Sequence, residues 1–134
     1  MVGIVVVAHN PKLSEEVIRF CKDLKKDNFK LINGGGIGIG ECFGTCPKII
    51  EQAIEAANQG DGVVILCDLG SSVINARKAQ ESIGNRIRVE IVDAPLVEGT
   101  IVAVSANHPK VYGDEKTAEF VNGVLAKVIK NIKK

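Results

Sequence analysis

Residues 1–8, Met-Val-Gly-Ile-Val-Val-Val-Ala, are apolar almost without interruption and rich in β-branched side chains. A short run of this kind predicts a strand buried on both faces, because a half-exposed strand would alternate polar with apolar. The run stops at His9, and Asn10-Pro11 follows, an N-cap residue with proline in the first helical position. His9 is therefore predicted at the carboxyl end of a strand, on the rim where open α/β sheets bind ligands.

The same alternation continues along the chain. Leu13, Val17, Cys21 and Leu24 recur at helical spacing to about Lys26, and Phe29 to Ile32 reads as a short second strand. A glycine-rich loop, Asn33 to Gly44, leads to Thr45 as an N-cap, with Pro47 in the first turn and Ile50, Ala53, Ile54 and Ala57 facing inward. Val63 to Cys67 is a third, wholly apolar strand, and Asp68-Leu-Gly-Ser-Ser72 opens a helix that ends near Gly84. Ile87 to Val92 alternates, as expected of a fourth strand nearer an edge. Asp93 and Pro95 then start a helix through Val104, and Asp114 starts a last one carrying Phe120, Val121, Val124, Leu125, Val128 and Ile129.

Strands alternating with helices predict parallel pairing through right-handed crossovers. Placing the most apolar strand centrally gives the order 2-1-3-4. The expected fold is thus α/β, a doubly wound, mainly parallel sheet of flavodoxin-like form, with residues 1–134 as one domain. No linker or internal repeat interrupts it.

Composition narrows the function. A net charge of +1, no tryptophan and a single tyrosine argue against a nucleic-acid surface. Lys127, Lys130, Lys133 and Lys134 read as a solvated helix face. No segment approaches membrane-spanning length, and the first apolar run lacks the basic leader of a signal peptide. Cys21, Cys42, Cys46 and Cys67 are not arranged at metal-binding spacing. Reduced thiols, a cytoplasmic location, and no metal or cofactor are expected.

In the order 2-1-3-4, strands 1 and 3 are neighbours about 4.8 Å apart, ending in His9 and Asp68. A carboxylate beside an imidazole fixes the Nδ1–H tautomer and leaves Nε2 bare as a nucleophile, for example toward phosphorus. Oxygens of a transferred phosphoryl group need donors. These are expected from the helix start after Asp68, where Gly70 admits a close approach and Ser71 or Ser72 adds a hydroxyl, and from Thr45.

Each residue alone has an ordinary reading, His9 as a loop residue and Asp68 as a helix cap; their coincidence at adjacent strand ends singles them out. His108, in Asn107-His-Pro-Lys, reads as a surface turn. The glycine loop satisfies neither Gly-x-Gly-x-x-Gly nor the phosphate-loop pattern, and reads as a rim or docking loop. No Gly-x-Ser-x-Gly elbow surrounds Ser71 or Ser72, which disfavours a hydrolase.

Several blocks together resemble the mannose-type IIA domain family of the bacterial phosphotransferase system, in the branch of dihydroxyacetone kinase phosphotransfer subunits (DhaM). They are the apolar strand ending in Ala8-His9-Asn10, Gly35-Gly36, Gly44-Thr45, the segment Gly60 to Ala76 with its Asp68-Leu-Gly-Ser-Ser72, and Val92-Asp-Ala-Pro-Leu-Val-Glu-Gly99. Where the family has serines on both sides of the histidine, this chain has Ala8 and Asn10.

The resemblance implies that His9 accepts a phosphoryl group from the phosphocarrier HPr, oriented by Asp68. It then passes the group to ADP held on the L subunit of dihydroxyacetone kinase, so that the K subunit is served indirectly. It also implies a homodimer, and at this length the stand-alone form of the subunit. Two other readings stay open. One is a IIA component passing phosphate to a sugar-transport IIB protein, which the Asp68 and Ala94-Pro95 blocks disfavour. The other is a non-catalytic, ligand-sensing module.

Overall fold

β1 (Gly3–Val7) pairs with a neighbour on each side, so all five of its residues are buried. The structure, a computed structural model, describes residues 1–40 and 42–107. Its sheet has four parallel strands in the order 2-1-3-4: β2 (Leu31–Asn33), β1, β3 (Val63–Cys67) and β4 (Val89–Val92). This is the order that the apolar pattern predicts.

Helices fill the crossovers. α1 (Pro11–Lys22) and α4 (Leu96–Ala106) cover one face, while α2 (Pro47–Ala57) and α3 (Gly70–Ile83) cover the other. The period of two along each strand sorts side chains between two cores. Ile4, Val6, Val64 and Leu66 pack with Val17, Ile18 and Val104, whereas Val5, Val7 and Ile65 pack with Ile50, Ile54 and Ile83. Full burial of such a side chain stabilises by about 1.5–3 kcal/mol, so polar residues are costly anywhere in β1 or β3. The first ones, His9 and Asp68, come only where these strands stop. Gly3 is required for a separate reason, since a Cβ there would overlap the Ala57 carbonyl at the end of α2.

Boundaries differ from the periodicity in places. Asn10 caps α1 by accepting from Lys12 N at 2.9 Å, and this sets the helix phase. Ser14, Val17, Ile18 and Cys21 therefore face inward, while Leu13 is 44% exposed. Ser14 is accommodated because its Oγ accepts from Ala8 N at 2.9 Å. The helix ends at Lys22, not Lys26.

β2 starts at Leu31, not Phe29, because the Phe29 side chain plugs the core under α1. β4 begins at Val89, a 3₁₀ turn at Gly84–Arg86 having taken up the chain before it. α4 starts after Pro95 and runs to Ala106. The helix expected from Asp114, His108 and the C-terminal lysines lie outside the described residues. Among the described residues, no helix is long and apolar enough to cross a membrane.

Candidate functional site

The register of β1 against β3 sets Val7 beside Cys67, so the residues that follow leave the sheet side by side. Asp68 N donates to Val7 O at 3.1 Å, and His9 N donates to Asp68 Oδ2 at 2.9 Å. The His9 ring meets the same carboxylate, with Nδ1 3.1 Å from Oδ1 and 3.2 Å from Oδ2. Oδ1 also accepts from Leu69 N and from Ser72 Oγ, each at 2.7 Å. Burial by itself would raise the Asp68 carboxyl. The His9 N–H, the Ser72 hydroxyl, the Leu69 N–H and the His9 ring outweigh it and hold the group below the ordinary aspartate value.

A carboxylate at Nδ1 keeps the proton on that nitrogen and leaves the Nε2 lone pair facing the rim. Ser71 Oγ lies 2.6 Å from Nε2, in position to donate its hydroxyl proton there. The His9 and Asp68 side chains each retain 15% of their surface, enough to be reached and little enough to be held.

The glycine loop is tied to this strand end. Gly36 N donates to Ala8 O at 3.2 Å and Gly44 N to His9 O at 2.8 Å. Both glycines have positive φ, 79° and 133°, which a residue with a Cβ adopts only under strain. Between them the loop brings the exposed Phe43 ring to 6.4 Å from the His9 ring, centroid to centroid.

Of the residues expected from sequence, His9, Asp68, Ser71 and Ser72 come together in one hydrogen-bonded cluster. Ser72 is buried, and its hydroxyl serves Asp68 Oδ1 on the Nδ1 side of the ring, away from Nε2. Gly70 opens α3, and a Cβ added there would meet nothing within 4 Å. Thr45 is not the N-cap of α2. Cys46 takes that position ahead of Pro47, and Thr45 Oγ1 instead accepts from Asn75 Nδ2 at 2.6 Å.

Phe43 and Asn75 escaped the sequence reading. An amide in a helix interior, one turn beyond Ser72, was the available signal for Asn75; Phe43 carried none, because its place depends on the loop's path. Removing the Ser72 hydroxyl deprives Asp68 of one donor, so Ser72→Ala is expected to destabilise the fold by about 1 kcal/mol in urea denaturation.

The buried cysteines offer no competing nucleophile. Burial, and then the charge of Asp68, push the Cys67 thiol up to about 12, and burial raises Cys21. Cys42 is exposed and Cys46 half-buried. Among the described residues, no cluster of three or more His, Cys, Asp or Glu side chains is arranged to hold a metal ion.

Comparison with known proteins agrees with this fold. A crystal structure of a protein of unknown function superposes with a TM-score of 0.73 at 20% identity, covering 93% of each chain. A sigma-54 interaction domain protein from Enterococcus faecalis superposes with a TM-score of 0.60 at 14% identity, over 97% of this chain and 94% of the other. At such identities the likeness concerns the fold alone.

Sequence relatives are more specific. The phosphoryl donor subunit DhaM of PEP-dependent dihydroxyacetone kinase 2 from Listeria innocua is 32% identical over 105 residues, 77% of this chain and 83% of the relative. DhaM subunits of PEP-dependent dihydroxyacetone kinase from Klebsiella michiganensis and Escherichia coli are 30% and 34% identical over 95% and 77% of this chain. The match spans only 28% and 23% of those longer proteins. A family model described as EIIA-man, PTS system fructose IIA component, matches residues 3–117, and with these relatives it shows that the chain belongs to the EIIA-man family.

Proposed function

We propose that this chain is a phosphohistidine carrier, the phosphotransferase subunit that links the phosphocarrier HPr to dihydroxyacetone kinase. The observation that carries the reading is the His9 ring itself, with Nδ1 held by Asp68 and Nε2 turned to the rim. The family and the names of the relatives support the same relay.

In the first transfer, His9 Nε2 attacks the phosphorus on HPr. The donor's N–P bond breaks as the Nε2–P bond forms, and Asp68 stabilises the positive charge that develops on the imidazole. Ser71 leaves Nε2 and turns its hydroxyl to a phosphoryl oxygen. The first backbone N–H groups of α3, beginning at Gly70, supply further donors, because a helix start leaves them without intrahelical partners. The Thr45 hydroxyl, which accepts from Asn75 Nδ2, is assigned as an additional donor.

In the second transfer, the Nε2–P bond breaks and an O–P bond forms at the terminal phosphate of ADP held on the L subunit. ATP is made and a neutral imidazole is regenerated; the K subunit spends that ATP on dihydroxyacetone. The working form is a cytoplasmic homodimer.

Incubation with phosphoenolpyruvate, enzyme I and HPr tests the first half. The expected result is one acid-labile phosphate, mapped to His9 by mass spectrometry. The phosphorylated chain is then offered to the L subunit with ADP or to a sugar-transport IIB protein. Discharge to ADP is expected. Discharge to the IIB protein alone would move the chain to the transport branch, and absence of phosphate on His9 would end the carrier reading.

A further inference from the structure

Two polar side chains of α3 stand one turn apart on the same face. Ser71 Oγ lies 2.6 Å from His9 Nε2; four residues on, about 6 Å along the helix axis, Asn75 reaches the exit of the glycine loop. Its Nδ2 donates to two oxygens of one residue, Thr45 Oγ1 at 2.6 Å and Thr45 O at 3.3 Å. Asparagine suits a helix interior poorly, because its amide competes for backbone groups. Here the amide is engaged by the loop instead.

The carbonyl contact settles the sense of the hydroxyl contact. A carbonyl oxygen only accepts, so the side of the amide turned to Thr45 is its nitrogen. An amide nitrogen only donates, so the Thr45 hydroxyl beside it accepts as well, and its own proton is directed to another partner. Among the described residues, no acceptor takes that proton.

The loop exit is also anchored to the strand end that carries His9. Gly44 N donates to His9 O at 2.8 Å. Thr45, the next residue, is bridged to Gly36, whose N–H donates to Ala8 O at 3.2 Å. Ser71 thus meets His9 from α3, the loop meets it through Gly44, and Asn75 ties the two elements together.

We propose that Asn75 is a positioning residue for phosphoryl transfer: it holds the Thr45 hydroxyl as a donor, with its proton available to an oxygen of the phosphoryl group on His9. The proposal rests on the carrier reading above and on the place of Thr45 in it. A phosphoryl oxygen is an acceptor, whereas a free hydroxyl presents a proton or a lone pair with equal ease. Setting the hydroxyl beforehand removes that reorganisation from the transfer step. Asn75 touches no reacting atom and exchanges no proton.

The test follows single turnovers of the full-length chain with excess phosphorylated HPr, reading the saturating rate and the half-saturating concentration. N75D keeps the size of the side chain but replaces the donor by a carboxylate, which draws the Thr45 proton to itself. It is expected to lower the saturating rate about tenfold to a hundredfold. T45V, which lacks the hydroxyl, is expected to lose about tenfold, and N75A, which frees the hydroxyl to turn, about twofold to fivefold. Half-saturation is expected to stay within about twofold throughout, because Asn75 and Thr45 are both half-buried and the change concerns the transfer step.

N75D is also made in the T45V background, where the part of its effect that passes through the hydroxyl disappears. A smaller loss there than in wild type is the expected result. Equal losses in the two backgrounds overturn the proposal, as does a half-saturating concentration that rises as much as the rate falls. A wild-type rate in N75D or in T45V overturns it too and leaves the carrier reading standing. Wild-type chain that takes no phosphate on His9 overturns both.

Discussion

His9→Gln is expected to reduce incorporation of acid-labile phosphate to background while leaving the fold in place. Glutamine keeps a polar group at the strand end but has no basic ring nitrogen to attack phosphorus. The backbone contacts of this position persist, because His9 N still donates to Asp68 Oδ2 and His9 O still accepts from Gly44 N. The ring belongs to neither hydrophobic core. What is lost is the ring's hydrogen bonding to the Asp68 carboxylate and, at the exposed rim, to Ser71 Oγ, so the expected destabilisation is no more than about 2 kcal/mol. Phosphorylation is followed with labelled phosphoenolpyruvate, and folding by circular dichroism and urea denaturation. Stoichiometric label on His9→Gln would place the acceptor elsewhere in the chain.

Asp68→Ala is expected to slow both transfers by tens to thousands of fold, through loss of tautomer control and of charge stabilisation on the ring. It also strips the acceptor from the His9 and Leu69 N–H groups and from the Ser72 hydroxyl, so stability falls as well. Asp68→Asn separates the two effects, since it keeps the volume and one acceptor but not the charge.

The Asp68 carboxyl is held below its ordinary value in the fold. Its charge therefore adds stability that is fully present above the unfolded aspartate pKa of about 3.9 and is lost as pH falls through the lower folded value. The urea midpoint of wild type is accordingly expected to exceed that of Asp68→Asn at neutral pH, with the gap closing below about pH 4. Transfer kinetics unchanged in both variants would remove Asp68 from the mechanism. A gap that is constant with pH would remove its charge from the stability.

Much of this site was legible along the chain because β1 and β3 must be apolar on both faces. The first polar side chain after each is then a residue of the sheet's rim, and the 2-1-3-4 order makes His9 and Asp68 neighbours. Ser71 and Ser72 were legible as hydroxyls near that pair, but not their division of labour. Which of two adjacent serines faces Nε2 and which faces the carboxylate depends on the helical phase at the start of α3.

Thr45 shows a different limit. Its spacing before Pro47 suited an N-cap, but a cap is decided by backbone path, and there the chain places Cys46 at the cap while Asn75, thirty residues on, takes the threonine hydroxyl. Leu13, expected on the apolar stripe, is exposed while Ser14 is buried, for the same kind of reason, since a buried hydroxyl is tolerated once Ala8 N donates to it.

By itself, the order of apolar and polar residues determined the layers, the strand order and the two side chains that meet at the rim, because burial of β-branched strands leaves few alternatives. Only the tertiary structure decided how the glycine loop folds back onto His9 and which hydroxyl reaches Nε2. Those features rest on single hydrogen bonds and side-chain directions between distant segments, and no local pattern encodes them.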